Sequence, residues 1–444
     1  MGVKILSLFD GMACGMIAMQ LAGVEVESYD AYEIDKYAIK TAQHNFPMIK
    51  EHGDVFDADF TQYEGVDFLI GGSPCTYWSI AQTKNRETVA SGMGWELFSQ
   101  YVRALHEAKP KYFIYENNKS MSKDIRASIY KAFGFEAVLI NSALVSAQNR
   151  QRLYWVGKRN ADGTYSRVNV EQPADRGILL KDVLDSAVSM DLTCNDKSYT
   201  LTASYDGACA WNTIERHQRN MVAEPIEYID YAPRKNSHIV VNENAIRCAQ
   251  DKNNASCAES FVEFVDKKSQ TLISARVNKI ICEVKFSEDC EPINGIYQVG
   301  AMPRPDGEIS TSAGFRIYST EAKGRYLWAN GGGAGAKTGL YAIPYEIEFD
   351  DDGRPIKAIG KDGKEITIYE VKDGKITIKG KQYPIKLKDG YYIIRKLTVR
   401  ECMRLQTVPE WYEFPVSNSQ AYKMLGNGWT CEVIAHLIRS CMYI

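Results

Sequence analysis

The chain has 444 residues, 45% hydrophobic and 25% charged, enough for two domains and at least one sizeable core. A net charge of −3 gives no global basic field, so a nucleic-acid partner would have to be met by local basic patches. No apolar run reaches membrane length, Met1-Gly2-Val3-Lys4 enters a strand with no signal peptide before it, and eleven cysteines without zinc-type spacing fit free thiols in a reducing cytoplasm.

Lys4–Leu8 is predicted as a buried strand, Phe9–Gly15 as a glycine-punctuated turn and Met16–Ala22 as a helix. Together they read as the nucleotide-binding opening of a doubly wound α/β sheet. The spacing is not G-x-G-x-x-G, which disfavours NAD. Small residues in the turn would let the backbone approach a ligand closely. Val24–Tyr32 reads as the second strand and ends at Glu33, where an acid bonds ribose hydroxyls. Ile34–Asn45 is helical, and Gly53-Asp54-Val55 stands where a third strand should end, with Asp54 placed to accept from an adenine amino group. Taken singly, these acids are more often solvated.

Val66–Ile70 is a short apolar run bounded by glycines, a buried strand leading into Gly71-Gly72-Ser73-Pro74-Cys75. Pro74 fixes its own φ and pushes Ser73 out of the helical region. Cys75 therefore sits on a stiff turn at the carboxyl end of a strand, the edge where open α/β sheets bind ligands. It is a candidate nucleophile; the plain alternative is a small hydrophobe in a turn. The polar stretch 81–94, with Lys84, Arg86, Gly92 and Gly94, has the composition of a lid loop. Trp95–Ala108 is helical, and Lys111–Tyr115 is a strand that delivers Glu116-Asn117-Asn118. Ala137–Asn141 and Leu153–Gly157 are two further strands. Between them, Arg150 and Arg152 stand two apart in extended chain and so point to one side; the usual fate of such a pair is the surface.

From about Asn160 the βα alternation stops and irregular β-rich sequence begins. A weak echo runs through it: Lys197–Ala203, Lys268–Ala275 and a degenerate Lys323–Ala329, unevenly spaced and so not a solenoid. Phe349–Ile394 reads as a β-meander with Asp-Gly turns at 352, 362, 373 and 389. Helical sequence returns at Thr398, which with Glu401 matches a capping box. Gly426-Asn427-Gly428-Trp429 leads into Cys431–Met442, a helix apolar enough to pack on the first domain.

Five motifs stand in one order: the Phe-Asp-Gly turn, Pro-Cys, Glu-Asn, Arg-x-Arg and a terminal Gly-Asn. Each alone is weak, but together they closely resemble the cytosine-5 DNA methyltransferases of bacterial or phage type, over residues 4–160 and 395–444. Three departures stand out: Asn118 for the usual valine, Gly428-Trp429 for the usual Ser-Val, and Ile34 where an aromatic often stacks on adenine. The resemblance implies a catalytic domain at 1–160, an irregular β-rich target-recognition domain at 161–394 and a returning segment at 395–444. It implies S-adenosylmethionine as methyl donor, with S-adenosylhomocysteine as product. The cofactor set by matching is Phe9, Asp10, Gly11, Ala13, Gly15, Glu33, Ile34, Asp54, Val55, Pro74, Leu97, Asn427 and Trp429. Cys75 is implied as the nucleophile that adds to cytosine C6. Glu116 would bond N3 and the 4-amino group, and Arg152 with Arg150 would hold O2. Ser79, Lys84 and Arg86 would meet DNA as the 81–94 loop closes on a flipped base. The implied partner is double-stranded DNA, met by a cytoplasmic monomer without metal or membrane, with a cognate restriction endonuclease as functional partner. A tRNA cytosine methyltransferase shares this core, but the long middle region favours DNA. A thiol hydrolase would need a His partner, and none of the six histidines lies in a motif. A non-catalytic relative is disfavoured by the presence of all the reacting motifs.

Overall fold

The computed structural model describes residues 2–74, 77–79, 86–185, 190–226, 354–360 and 364–442, with the backbone of short strands between 240 and 349. The chain divides into two compact units. The first takes Met1–Val183, Asn195–Asn220 and Lys396–Ile444; the second takes Leu184–Cys194 and Met221–Arg395. Residues 161–183 and 195–220, which by sequence fall in the middle region, thus belong to the first unit.

The first unit is an α/β sheet. Its strands are β1 (Val3–Leu8), β2 (Val26–Tyr32), β3 (Lys50–Glu51), β4 (Phe68–Gly71), β5 (Tyr112–Asn118), β6 (Val138–Asn141), β7 (Gln151–Arg159) and β8 (Tyr165–Arg167). The order is β3-β2-β1-β4-β5-β7-β6, with β8 against β7. The first five strands are parallel, and β7 runs antiparallel between β5 and β6. The helices are α1 (Cys14–Ala22), α2 (Lys36–Asn45), α3 (Met93–Ala108), α4 (Lys123–Phe133) and the short α5 (Ala210–Arg216), then α6 (Val399–Leu405), α7 (Asn418–Asn427) and α8 (Cys431–Met442). Parallel strands are covered on both faces, which is why β1 and β4 are almost wholly apolar. On one face the core joins Leu6, Leu8, Leu69, Phe113 and Trp155 to Phe98 and Tyr101 of α3 and to Phe133 of α4. The Tyr101 hydroxyl, buried in this core, donates to the carbonyls of Leu69 and Ile114.

The C-terminal helices form as their sequence predicts. Thr398 caps α6 through its hydroxyl while Glu401 returns the bond to the Thr398 N–H (2.7 Å). Helix α8 buries Val433, Ile434, Ala435, Leu437 and Ile438 and packs on α1, where Arg439 donates to the Leu21 carbonyl.

The second unit carries a six-stranded sheet, in the order Lys381–Pro384, Lys375–Ile378, Ile368–Lys372, Gly390–Lys396, Met221–Ile226, Met190–Asp191. Asp373 and Gly374 both adopt positive φ, +52° and +66°, the turn an Asp-Gly pair favours between right-twisted strands. Asp389 plays a different part from a hairpin turn: its carboxylate accepts from the N–H groups of Asp373 and Gly374. The Asp-Gly pairs at 352 and 362 lie outside the described residues, as do the second and third copies of the Lys-Ser echo. The first copy is part of the first unit, where Ser198 pairs in parallel with Gln148.

Gly15 serves packing. A Cβ there would lie 2.3 Å from Ile70 Cδ1 and 2.5 Å from the Tyr29 hydroxyl, so the missing side chain lets α1 close on the sheet. Overpacking of this kind costs about 1–3 kcal/mol. Gly15→Ala is therefore expected to lower the urea midpoint of the ligand-free protein, and an unchanged midpoint would show the space to be free.

Candidate active site

From β1, the strands β2 and β3 are laid down to one side and β4 and β5 to the other, so the order reverses between β1 and β4. Loops leaving such a pair diverge and open a crevice at the carboxyl edge. Here they are 9–13 and the segment that begins at Gly72. Gly71 must lack a side chain, because a Cβ would lie 2.7 Å from the Leu8 carbonyl. Beyond it, Asn117 Nδ2 donates to the Ser73 carbonyl (3.2 Å) and to the Tyr115 hydroxyl (3.1 Å), which itself meets Ser73 Oγ at 2.7 Å. The residue following Glu116 thus pins the segment that enters Pro74. Cys75 and Lys84 lie outside the described residues.

Glu116 stands near the end of β5. Its Oε1 is 3.0 Å from Arg152 Nε, and its Oε2 accepts from Trp429 Nε1 at 3.1 Å. The Glu116 and Arg152 side chains are only 12% and 14% exposed. Removing one partner of such a pair leaves a poorly solvated charge and costs about 3–5 kcal/mol. Asn118 and Arg152 face each other across the antiparallel β5–β7 register, which puts the arginine beside the carboxylate.

Arg150 takes another place. It is 3% exposed and donates to the carbonyls of Leu201 (2.8 Å), Gly426 (3.1 Å) and Gly428 (2.8 Å). Its guanidinium holds the C-terminal end of α7 at Gly426 and Gly428, while Arg152 is the arginine paired with Glu116. Gln406 reinforces that end by donating to Leu425 O and Gly428 O, and Gln148 ties Leu201 N–H to Leu405 O.

A second cluster lies at the ends of β1, β2 and β3. Asp10 is buried; its Oδ1 accepts from Ser7 Oγ and Tyr29 OH, while its Oδ2 has no partner among the described residues. Burial, opposed by those two hydrogen bonds, raises its pKa to about 6. Glu51, the last residue of β3, has both carboxyl oxygens buried without a partner among the described residues. Burial first, then the nearby charges of Asp10 and Glu33, raises its pKa to about 8. Glu33 accepts from the N–H groups of Gly11, Ile34 and Asp35, so this acid fixes the glycine turn. Phe9 and Ala13 have positive φ, +58° and +59°, uncommon for residues other than glycine. Gly11 has φ +64° and nothing within 4 Å of where a Cβ would point. Asp54 accepts from Phe56 N–H, Val55 is buried, and Ile34 is 74% exposed.

Of the remaining expected residues, Leu97 packs against the core from α3 and Asn427 ends α7 exposed. Ser79 is half-buried. Arg86 donates to the carbonyls of Trp78 and Ser120, an anchor for the root of the 81–94 loop. Its neighbour Glu87, which no motif marks, accepts from Trp78 Nε1 and Gly94 N–H and completes that anchor. Glu51 also goes unmarked; the available signal is an acid at the end of strand three, but β3 ends at 51 and not at 53–55. Among the described residues no His, Cys, Asp and Glu group is arranged to hold a metal ion, and no helix is long and apolar enough to cross a membrane.

A family model described as C-5 cytosine-specific DNA methylase matches residues 3–443. The chain belongs to the C-5 cytosine-specific DNA methylase family. Its activity is the family's: methylation of DNA cytosine at C5 with S-adenosylmethionine as donor. Orphan methyltransferase M.SPRI of Bacillus phage SPR is 24% identical over 486 residues, covering 99% of this chain and 98% of the relative. Type II methyltransferase M.BanI of Aneurinibacillus aneurinilyticus is 23% identical, covering 99% and 95%. A solved DNMT2 variant from Spodoptera frugiperda aligns over 99% of this chain and 100% of its own, with a TM-score of 0.46 and 14% identity.

The acid cluster of this methylase gives a pH signature. Asp10 and Glu51 keep protons in the folded state that the unfolded chain releases, so between about pH 4 and about 8 the native state binds more protons and stability falls as pH rises. Urea midpoints of the ligand-free protein are expected to decline across that window, with the upper part flattened in Glu51→Gln. Midpoints that climb with pH, indifferent to the substitution, would contradict the assignment.

Proposed function

We propose that the chain methylates a cytosine turned out of double-stranded DNA, with Cys75 adding to C6 and Glu116 holding the base. The observation that carries this reading is the Glu116 carboxylate, fixed by Arg152 and Trp429 at the end of the strand beside the one that leads to Cys75. Cytosine C5 is a poor nucleophile. Addition of the Cys75 thiolate forms an S–C6 bond and moves the C5–C6 π pair onto C5, which can then attack a methyl group. Glu116, sharing a proton with N3 while accepting from the 4-amino group, draws electron density from C6 and favours that addition; Arg152 holds the carboxyl group and stands ready for O2. After transfer, the C5 proton leaves to a base, the π bond re-forms and the thiolate departs. A base inside the duplex cannot reach such a site, so it must leave the stack.

The residues present fit S-adenosylmethionine, which when bound supplies an electrophilic methyl group. The unpartnered oxygens of Asp10 and Glu51 call for donors or positive charge, which a sulfonium compound with an amino group and ribose hydroxyls brings. The open space at Gly11 admits close approach, and Ala13 starts α1 with no side-chain cap, leaving N–H groups for a carboxylate. Exposed Ile34 and Phe56 offer apolar surface for adenine near Asp54.

In this reading the part of the middle region that forms the second unit, chiefly 221–395, chooses the DNA sequence. The support is the β-rich second unit, with lysines at 372, 375, 379 and 381 on its hairpins. Phosphate contacts position a protein and base-edge contacts specify its site. The acting form is a monomer in the cytoplasm of a prokaryotic or phage-infected cell, with any cognate restriction endonuclease a functional partner.

Two measurements test this. Exchange of 221–395 with the same region of a relative should move the methylated sequence with it; a site that stays with the flanking core would refute the assignment. With 5-fluorocytosine at the target the C5 proton is absent and fluorine cannot leave as a cation. Protein, DNA and methyl group should stay joined through denaturing electrophoresis, dependent on S-adenosylmethionine and lost in Cys75→Ala. An adduct that persists in Cys75→Ala would falsify the nucleophile assignment.

A further inference from the structure

We propose that Trp429 is a positioning residue for Glu116, its indole N–H setting the plane of the carboxylate that meets the target base. This rests on the reading of Glu116 as the base-holding group. A terminal carboxylate turns freely about its last bond, since that torsion is broad. One donor tethers one oxygen; two donors on separate elements define the plane. Arg152 reaches Oε1 from β7, and Trp429 reaches Oε2 from the turn between α7 and α8. On a third side Gly72 closes the space, because a Cβ there would lie 2.9 Å from Glu116 Oε2 and 3.3 Å from the indole nitrogen.

The chemistry suits the task. An indole N–H donates only and does not ionise at working pH, and each carboxylate oxygen has a second acceptor position. Trp429 therefore fixes Oε2 while leaving it able to meet a base edge. The tryptophan is itself held: the Gly428 carbonyl just before it accepts from Arg150 and Gln406. Trp429 stands in a motif matched to cofactor binding, yet the bond its polar atom makes goes to Glu116, and the valine usual at this place has no donor to offer.

The test is Trp429→Phe, which keeps a ring and removes the N–H. Single-turnover methylation at saturating donor and DNA should fall on the order of tenfold, the scale of one hydrogen bond to a charged group. Titration should find S-adenosylmethionine affinity unchanged within about twofold. In a Glu116→Ala background the same substitution should have no further effect on the rate, as expected of two residues acting through one contact. Gly72→Ala, pressing a methyl group on the same oxygen, should reproduce the rate loss. A weakened donor affinity with an unchanged saturated rate overturns the proposal and leaves the reading of Glu116 standing. So does an equal loss in the Glu116→Ala background, or an unchanged rate in Gly72→Ala. An unaltered rate in Glu116→Ala alone removes the reading of Glu116 and the proposal with it.

Discussion

A buried guanidinium that reaches three backbone carbonyls ties together parts of the chain far apart in sequence. Arg150 follows the sixth strand, Leu201 lies in a segment that leaves the sheet, and Gly426 and Gly428 flank Asn427 near the C-terminus. Gly426 packs so closely that a Cβ would lie 2.1 Å from the backbone of Thr202. Withdrawing a cation from water is costly unless its donors are met, and charge-assisted bonds to carbonyls meet them. The consequence is local order: with 426–428 fixed, Trp429 is delivered to Glu116, and the carboxylate is held between Trp429 and Arg152 close against Gly72. The two arginines take different places, Arg150 on backbone carbonyls near the C-terminus and Arg152 on the Glu116 carboxylate.

The acid cluster follows another logic. Asp10, Glu33 and Glu51 converge because the carboxyl ends of the adjacent strands β1, β2 and β3 lie side by side. Their mutual repulsion and burial are unfavourable in the ligand-free protein, and strain of that kind persists at binding sites where a ligand relieves it. Glu33 escapes part of the penalty by accepting three backbone N–H groups, which also shapes the turn at Gly11.

Much of this was legible in sequence, for reasons that can be named. Buried parallel strands are short apolar runs, so Lys4–Leu8 and Val66–Ile70 stood out within a residue or two of β1 and β4. The Thr398–Glu401 cap and the apolar face of α8 are local patterns and appeared as expected. Contacts made across long separations were not legible. Arg150 and Arg152 look alike when read two residues apart, and what separates them is the carbonyls of residues 201, 426 and 428. The Lys197–Ala203 echo falls by sequence in the middle region but pairs beside Gln148 in the first unit. Glu51 was hidden because the end of β3 could not be fixed from a two-residue strand.

The central claim is that Glu116, held by Arg152 and Trp429, meets the pairing edge of a cytosine joined to Cys75. A crystal structure of the protein with S-adenosylhomocysteine and a duplex trapped at 5-fluorocytosine tests this most directly. The account predicts density joining Cys75 Sγ to C6, Glu116 at N3 and the 4-amino group, and the Trp429 N–H still on Oε2. A base bound away from Glu116, or a bond to a cysteine other than Cys75, would contradict it.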